Sequence, residues 1–437
     1  MLTDAVAEDS RLSYWRRVRE YAVPPSMIET ATARRLVGDW GGACAAAGVD
    51  VDLGLDAVRR AYGRALVAQL RADLRVLAPD LLRWNLPRMA PDGLLRPGVT
   101  VALARYETAS ARPLQLVART APRGTGQRIS LGLWGGVGSR GGPHPERRYR
   151  LDLHRHLWDA SRAHELRVRS GVDSPAAEAS WASELVPPEW GCAVGRWSAE
   201  AALLLRAEGR RGAVVVRLGA RYRLVLEVEG EPGLRVASGR EAARLPVLPE
   251  AAIWTPPDLE LLRAGLIEPG QLHPLVASAL APGSVRSFGA TDAPGPLRAV
   301  DCRGARHHIG LVDGVLVALD HHPDEIRREE LLAALGGPPL PCLREIDRAH
   351  RRPDGLDGVR ERLAHGDTAG ALAVVEGLLG PEALLRSGEL RDALTAAAER
   401  RIAYGLHRAG LGQRALEPAR QHRTSRRRAE RHRTSSR

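Results

Sequence analysis

The chain has 437 residues, of which 44% are hydrophobic, so it has enough apolar material for a buried core and for two or three domains. All 64 basic residues are Arg, and the absence of Lys excludes the usual forms of P-loop, protein-kinase and Schiff-base chemistry. The net charge of +12 is concentrated in residues 412–437, which contain nine Arg and two Glu. This Arg-rich tail has few apolar residues, and we expect it to be disordered and to bind polyanions weakly.

Residues 1–92 are predicted to form an N-terminal helical unit, because their apolar residues recur at spacings of three and four. One helix is expected at about residues 56–77. Residues 93–280 are predicted to form a central region of antiparallel strands with helices. Its predicted strands are short apolar runs separated by Pro and Gly: GVTVALARY, LQLVAR, RISLGLW, RRYRLDL, AVVVRL, YRLVLEVEG and LRVAS.

The remaining chain is predicted to contain a linker and a C-terminal unit. Residues 281–297 are rich in Pro, Gly and small residues, which is typical of a linker. Residues 298–411 begin with an apolar hairpin pattern and continue with helical spacing. The fold class is therefore predicted to be α+β, with an N-terminal helical unit, a central antiparallel β-rich region with helices, and a C-terminal hairpin followed by helices.

A short motif occurs twice, as GDWGGACA from Gly38 and as GDTAGALA from Gly366. In each copy the Gly should end one helix, and the Asp that follows should cap the next. The two copies lie too far apart for a tandem array, so we predict two ordinary helical hairpins.

Two other motifs are predicted to have no role in catalysis or cofactor binding. GVGSRG at residues 136–141 matches the dinucleotide pattern GxGxxG, but Gly and Pro follow it where a Rossmann helix would begin. Asp152, His154 and His156 alternate in sequence, so on a strand they would share one face. No later His or Asp motif completes a metal site, and we interpret them as a solvated strand face.

The most specific candidate site lies in a predicted hairpin. Asp313-Gly314 is flanked by two apolar runs, and Asp-Gly is strongly favoured in two-residue β-turns. Counting outward from this turn pairs Val312 with Val315, and the pairing continues along both runs. Two His-His pairs lie at the open end of the hairpin: His307-His308 before the first run and His321-His322 after the second.

Continued alternation puts His307, Asp320 and His322 on one face of this hairpin and His321 on the other. Cys302 precedes His307 by five residues. Imidazole and thiolate are zinc ligands, so Cys302, His307 and His322 are candidate metal ligands. With Asp320 added, the same residues are candidate catalytic groups of a metal-dependent hydrolase.

A second interpretation gives these histidines no chemical role. His321 and His322 directly precede Pro323, which is a favoured first residue of a helix, and acidic residues follow in the first turn. In this interpretation no cofactor is expected, and the histidines lie in solvent next to a helix start.

Three segments resemble a family of uncharacterised proteins from GC-rich actinobacteria: VPPSMIETATARRLVGDWGGACAAAGVDVDL, APDLLRWNLPRMAPDGLLRPG and LGGPPLPCLREIDRAH. The resemblance covers most of the chain except the tail, and it implies a bacterial cytoplasmic protein without transferring an activity or functional residues. The cysteines are far apart, the N-terminus is acidic, and no apolar run of roughly 18 residues occurs, so we expect reduced thiols and no membrane partner.

We expect an intracellular interaction or adaptor protein that binds another protein, and this makes an enzyme the less favoured class. A metal-dependent hydrolase that uses the hairpin cluster is the first alternative. Nucleic-acid binding through Arg is the second. An apolar groove would favour the adaptor, and a concave pocket around the cluster would favour the enzyme.

Overall fold

The structure is a computed structural model. It describes residues 2–108, 113–135, 143–172, 182, 184–219, 222–230, 232–283, 298–381 and 383–411. The predicted α+β class is confirmed, because helices and several mainly antiparallel sheets occur in the same chain. Most of the predicted linker, the GVGSRG loop and the Arg-rich tail lie outside the described residues.

Spatial clustering of the backbone divides the chain into two compact units. The first unit comprises Met1–Thr120 and Ile129–Ala290. The second comprises Ala121–Arg128 and Thr291–Arg437.

In the first unit, helices precede the strands, alternate with them and follow them along the chain. They are α1 (Leu2–Tyr21), α2 (Pro25–Leu36), α3 (Trp40–Ala46), α4 (Leu55–Val76), α5 (Pro79–Asn85), α6 (Leu166–Arg169), α7 (Val194–Ala207), α8 (Gly239–Ala242), α9 (Glu250–Ile253), α10 (Pro257–Arg263) and α11 (Pro274–Leu280). The helix predicted at residues 56–77 is confirmed as α4, which buries Leu66, Leu70 and Leu74 in the core around the larger sheet.

The strands of the first unit form two main sheets and a short hairpin. They are β1 (Val49–Asp52), β2 (Arg88–Met89), β3 (Leu94–Leu95), β4 (Thr100–Tyr106), β5 (Leu114–Thr120), β6 (Ile129–Trp134), β7 (Ala213–Leu218), β8 (Tyr222–Glu227) and β9 (Gly233–Val236). The larger sheet has the order β1-β6-β5-β4, and a second sheet has the order β7-β8-β9. All pairs in these sheets are antiparallel except β1 with β6.

The N-terminal segment is mainly helical, and it also contributes a strand that the sequence did not predict, because the alternating, β-branched run VDVD at residues 49–52 forms the parallel edge strand β1. One strand prediction for the first unit is wrong. RRYRLDL is not a strand, because local hydrogen bonds from the Leu153 N–H to the Arg150 carbonyl and from the His154 N–H to the Leu151 carbonyl form turns instead.

The predicted solvated face at His154 and His156 is also wrong. The chain forms a 3₁₀ helix at Arg155–Leu157, and the two histidines are only 1% and 3% exposed. His154 lies against the carboxylate of Glu200, with 3.1 Å between Nε2 and Oε2. For His154, burial is therefore compensated by a charged partner more than forty positions away, which the local pattern does not indicate.

The duplicated motif forms the two helical hairpins that its sequence predicts. Gly38 and Gly366 have φ of 80° and 89°, and each ends a helix. Asp39 and Asp367 then accept a hydrogen bond from the N–H three residues later, at 2.8 and 2.9 Å. The left-handed backbone and the Asp cap therefore explain the shared residues.

The second unit consists of a three-stranded sheet followed by helices. Its elements are β10 (Arg298–Cys302), β11 (Ala305–Val312), β12 (Val315–Ala318), α12 (Pro323–Ala334), α13 (Pro341–Arg351), α14 (Leu356–His365), α15 (Thr368–Leu379) and α16 (Glu389–Arg408). The predicted hairpin is confirmed, with Val312 opposite Val315 and Asp313-Gly314 in the turn. One face of this sheet packs on the helices to form a common apolar core.

Among the described helices, none combines the length and the apolar character that crossing a bilayer requires.

Candidate metal centre

Two adjacent strands position the first two side chains of the candidate centre. β10 ends at Cys302, and the turn residues Arg303 and Gly304, with φ of 54° and 81°, lead into β11. Positive φ at both positions is the geometry that two-residue hairpins favour. Cys302 is fully buried, and His307 on β11 lies opposite Val300. The hairpin therefore presents a thiol and an imidazole from neighbouring strands.

Two segments farther along the chain supply a second imidazole and a second thiol. His321 follows the end of β12 by three residues and precedes α12. Cys342 is the second residue of α13, so its thiol lies at the N-terminus of that helix. His321 is 9% exposed and Cys342 is fully buried, so both side chains are removed from bulk solvent.

Cys302, His307, His321 and Cys342, which we call the Cys/His cluster, each offer one ligand atom, and these atoms all lie within 4.8 Å of one another. Tetrahedral zinc bound by two sulfurs and two nitrogens would place its ligand atoms roughly 3.3 to 3.8 Å apart. His307 Nδ1 and His321 Nε2 are closer than this, at 2.6 Å. The cluster could hold a metal ion after a small separation of the two rings.

A carboxylate outside the cluster orients one of the imidazoles. Glu325 Oε2 lies 3.2 Å from His321 Nδ1, and Glu325 Oε1 accepts a hydrogen bond from Arg303 at 2.7 Å. The hydrogen bond from His321 lowers the pKa of Glu325, so this group is a carboxylate that can only accept. His321 must then donate through Nδ1, which leaves the lone pair of Nε2 directed at the cluster. Metal-ligating histidines in proteins are commonly oriented in this way.

The two thiols are in contact, and the thiol of Cys342 is held in its protonated form when no metal is bound. Burial raises the pKa of Cys342, and the hydrogen bond with Cys302 raises it further. A metal ion would have to displace the proton of Cys342, because the thiolate is the ligand form. Metal affinity at this site should therefore increase with pH.

Two of the predicted site residues, Cys302 and His307, belong to the cluster, and two do not. Asp320 accepts hydrogen bonds from the backbone N–H and the ring Nδ1 of His308, at 2.6 and 2.8 Å. His322 is solvent-exposed and accepts a hydrogen bond from the Asp324 N–H as the cap of α12. The structure therefore does not place Asp320 and His322 beside His307.

The prediction that His307 shares a face with Asp320 and His322 is wrong for a local reason. It assumed that strand alternation continues past Ala318, but β12 ends there and the next residues form a turn. This turn exchanges the two faces, so that His321 meets His307. Sequence reasoning missed His321 for this reason, and it missed Cys342 because only tertiary packing brings α13 to the hairpin.

An apolar groove adjoins the cluster in the second unit. It has a volume of about 1230 Å³, and His321 forms part of its wall. Its apolar lining comes from β12, α12, α13 and the segment that precedes α16, and includes Val315, Val317, Leu319, Ile326, Leu343, Ile346, Leu384 and Leu385. Several of these side chains remain accessible; Leu319 is 40% exposed and Leu384 is 86% exposed.

Comparisons of the chain with protein-family models, with curated proteins and with solved structures find no match. The function is therefore inferred from the chain's own side chains.

Proposed function

We propose that the second unit is a zinc-braced protein-interaction module, in which the apolar groove binds an apolar segment of another protein. The observation that supports this proposal is the position of the Cys/His cluster. Its four ligands come from β10, β11, the segment before α12, and α13. The last two of these segments also form walls of the groove. A metal ion bound there would fix the positions of these walls relative to the hairpin.

The ligand set favours zinc in a structural role. Two cysteines and two histidines are a common set for structural zinc, which is four-coordinate. Catalytic zinc sites instead use three protein ligands and keep a fourth position for water. A cluster that supplies all four ligands leaves no such position, so the geometry favours the adaptor over the hydrolase.

The size and lining of the groove favour a protein segment as its ligand. Pockets for small molecules are typically about 300 to 1,000 Å³, and this groove is larger and open. Glu330 and Arg344 also line it, and neither has an ion-pair partner among the described residues. We therefore propose a short amphipathic segment, with apolar side chains in the groove and charged side chains that meet Glu330 and Arg344.

The test uses a random peptide library displayed on phage and selected against the full-length, zinc-loaded chain. Selected peptides should be rich in large apolar residues, because these would fill the groove. Their affinity should fall by about ten-fold or more for Leu319→Glu, since this change puts a charge into a desolvated contact. Leu372→Glu is the matched control, because Leu372 lies on α15 outside the groove lining and is similarly exposed, at 42%.

Chelation of zinc should weaken binding of the same peptides, because the metal would no longer fix the positions of the groove walls. Equal loss of binding with Leu319→Glu and Leu372→Glu would place the peptide elsewhere and contradict the proposal. Selection of peptides with no apolar enrichment would contradict it as well.

A further inference from the structure

A second cavity, in the first unit, is lined by an unusual concentration of guanidinium groups. It has a volume of about 420 Å³, within the range of small-molecule pockets. Arg96, Arg148 and Arg217 line it together with a single carboxylate, that of Glu250. Trp254 contributes an aromatic ring to the same wall.

The charge of this cavity is only partly compensated. Arg148 is paired, since it donates hydrogen bonds to Glu146 at 2.9 Å and to Glu250 at 3.1 Å. The side chains of Arg96 and Arg217 form no hydrogen bond or ion pair with any residue that the structure describes. Arg217 therefore has no described anionic partner, and Arg96 meets the carboxylate of Glu250 only through a longer-range attraction.

One buried polar atom of the cavity lining also lacks a hydrogen bond. The Arg96 Nε is buried and has no partner among the described atoms. The nearby Tyr149, whose ring lies under the Arg148 guanidinium, instead has Glu250 as a hydrogen-bond partner for its hydroxyl. Buried donors are normally satisfied in folded proteins, so an orphaned donor beside a cavity indicates a ligand or bound solvent there.

We propose that this cavity binds a small organic phosphate, with the phosphoryl group between Arg96 and Arg217 and the organic part against Trp254. A guanidinium binds phosphate through two parallel N–H donors, which gives geometric specificity as well as affinity. Arg148 is paired with both Glu146 and Glu250, so the three arginines keep one excess positive charge, which favours an anion between Arg96 and Arg217. Trp254 is partly exposed and would provide the apolar contact for the organic part, and its own position is supported by the fully buried Leu248 and Ile253.

The experiment is isothermal titration calorimetry of the full chain with phenyl phosphate, inorganic phosphate and succinate. Phenyl phosphate should bind with one site per chain. Inorganic phosphate should bind more weakly, because it lacks the ring that contacts Trp254. Succinate should bind at least about ten-fold more weakly than phenyl phosphate, because its separate carboxylates cannot place a dianion between two guanidinium groups.

The variants Arg96→Gln and Arg217→Gln should each weaken phenyl phosphate binding about ten- to hundred-fold, as expected for the loss of one charge-assisted contact. Arg206→Gln is the matched control, because Arg206 is exposed on α7 outside the cavity and should bind as tightly as wild type. Trp254→Leu should weaken phenyl phosphate binding but leave inorganic phosphate unchanged. Thermal unfolding of each variant establishes that it is folded before titration.

Several results would overturn this inference. Undiminished binding in both Arg96→Gln and Arg217→Gln, or several weak sites per chain, would assign the phosphate to another surface such as the Arg-rich tail. Succinate that binds as tightly as phenyl phosphate would overturn the assignment to phosphates. No measurable heat with any of the three probes would also overturn it. None of these results bears on the zinc-braced groove, which lies in the other unit.

Discussion

Glu200 is the central acceptor of a buried polar network in the first unit. Its carboxylate oxygens lie 2.6 Å from Arg169 Nε, 2.8 Å from Arg196 Nη2 and 3.1 Å from His154 Nε2. Burial alone would raise the pKa of Glu200, but the hydrogen bonds from His154 and Arg169 outweigh burial and lower it well below its ordinary value. Burial lowers the pKa of the nearby His156, and the positive charges around it lower the pKa further.

These shifts predict that the first unit loses stability in two stages as the pH falls. The neutral form of His156 is favoured by folding, so its contribution is present above the unfolded pKa of about 6.5 and is lost below it. The ionised form of Glu200 is favoured by folding, so its contribution is present above about pH 4.3 and is lost as the pH falls further. Urea unfolding of the wild type across this pH range measures both stages.

Glu200→Gln should remove the lower stage and destabilise the unit by about 3 kcal/mol at neutral pH, because two partly buried guanidinium groups lose their buried charged partner. Glu29→Gln, at an exposed position on α2, should change neither the stability nor its pH dependence appreciably. If Glu200→Gln loses stability below pH 4.3 as steeply as wild type does, other carboxylates cause the lower stage.

At the scale of the secondary-structure element, the hairpin turn of the second unit depends on its own backbone conformation and on a close contact with the end of α15. Asp313 and Gly314 have φ of 50° and 77°, which is the backbone that a tight two-residue turn requires. Gly380, with φ of 91°, packs against the carbonyl of Gly314, and a Cβ at position 380 would overlap that oxygen. The end of α15 therefore depends on the absence of a side chain at this position.

Gly380→Ala should accordingly destabilise the second unit more than Gly336→Ala does. Gly336 has a similar φ of 93° but open space where a Cβ would lie, so its substitution adds only backbone strain of about 1 to 2 kcal/mol. Gly380→Ala adds the steric overlap to a comparable strain, and Gly314→Val should cost about 1 to 3 kcal/mol at the turn itself. Thermal unfolding at one fixed zinc concentration ranks the three variants; equal melting temperatures for Gly380→Ala and Gly336→Ala would contradict the packing argument.

The elements that sequence predicts well are those specified by local chemistry. The register of the hairpin follows from the two residues Asp313 and Gly314, and the helix starts at Asp39 and Asp367 follow from side chains that cap their own helices. β1 was missed because a four-residue alternating run next to helices is a weak signal.

Only two of the four residues of the Cys/His cluster could be predicted from the sequence, for a related reason. Cys302 and His307 lie within one hairpin, so their proximity is a local property. His321 reaches the site through an irregular turn, and Cys342 reaches it through the packing of α13 on the sheet. Neither contact leaves a periodic pattern in the sequence, and a search for close Cys or His spacing does not find the set.

At the scale of the whole molecule, the two units carry different chemistry. The first unit contains the arginine-lined cavity and the Glu200 network, whereas the second contains the Cys/His cluster and the apolar groove. The second unit already has an apolar core that includes Cys302 and Cys342. Zinc would stabilise this unit further by binding only its folded state.

The central claim is that Cys302, His307, His321 and Cys342 together bind one zinc ion, and the most direct test is the zinc content of the full chain by native mass spectrometry. Wild type should carry one zinc per chain, and His321→Ala and Cys342→Ser should lose it. His322→Ala should retain zinc, because His322 is exposed and caps α12 next to the site. A wild-type chain that remains metal-free after refolding with zinc, or a His321→Ala chain that retains zinc as wild type does, would contradict the claim.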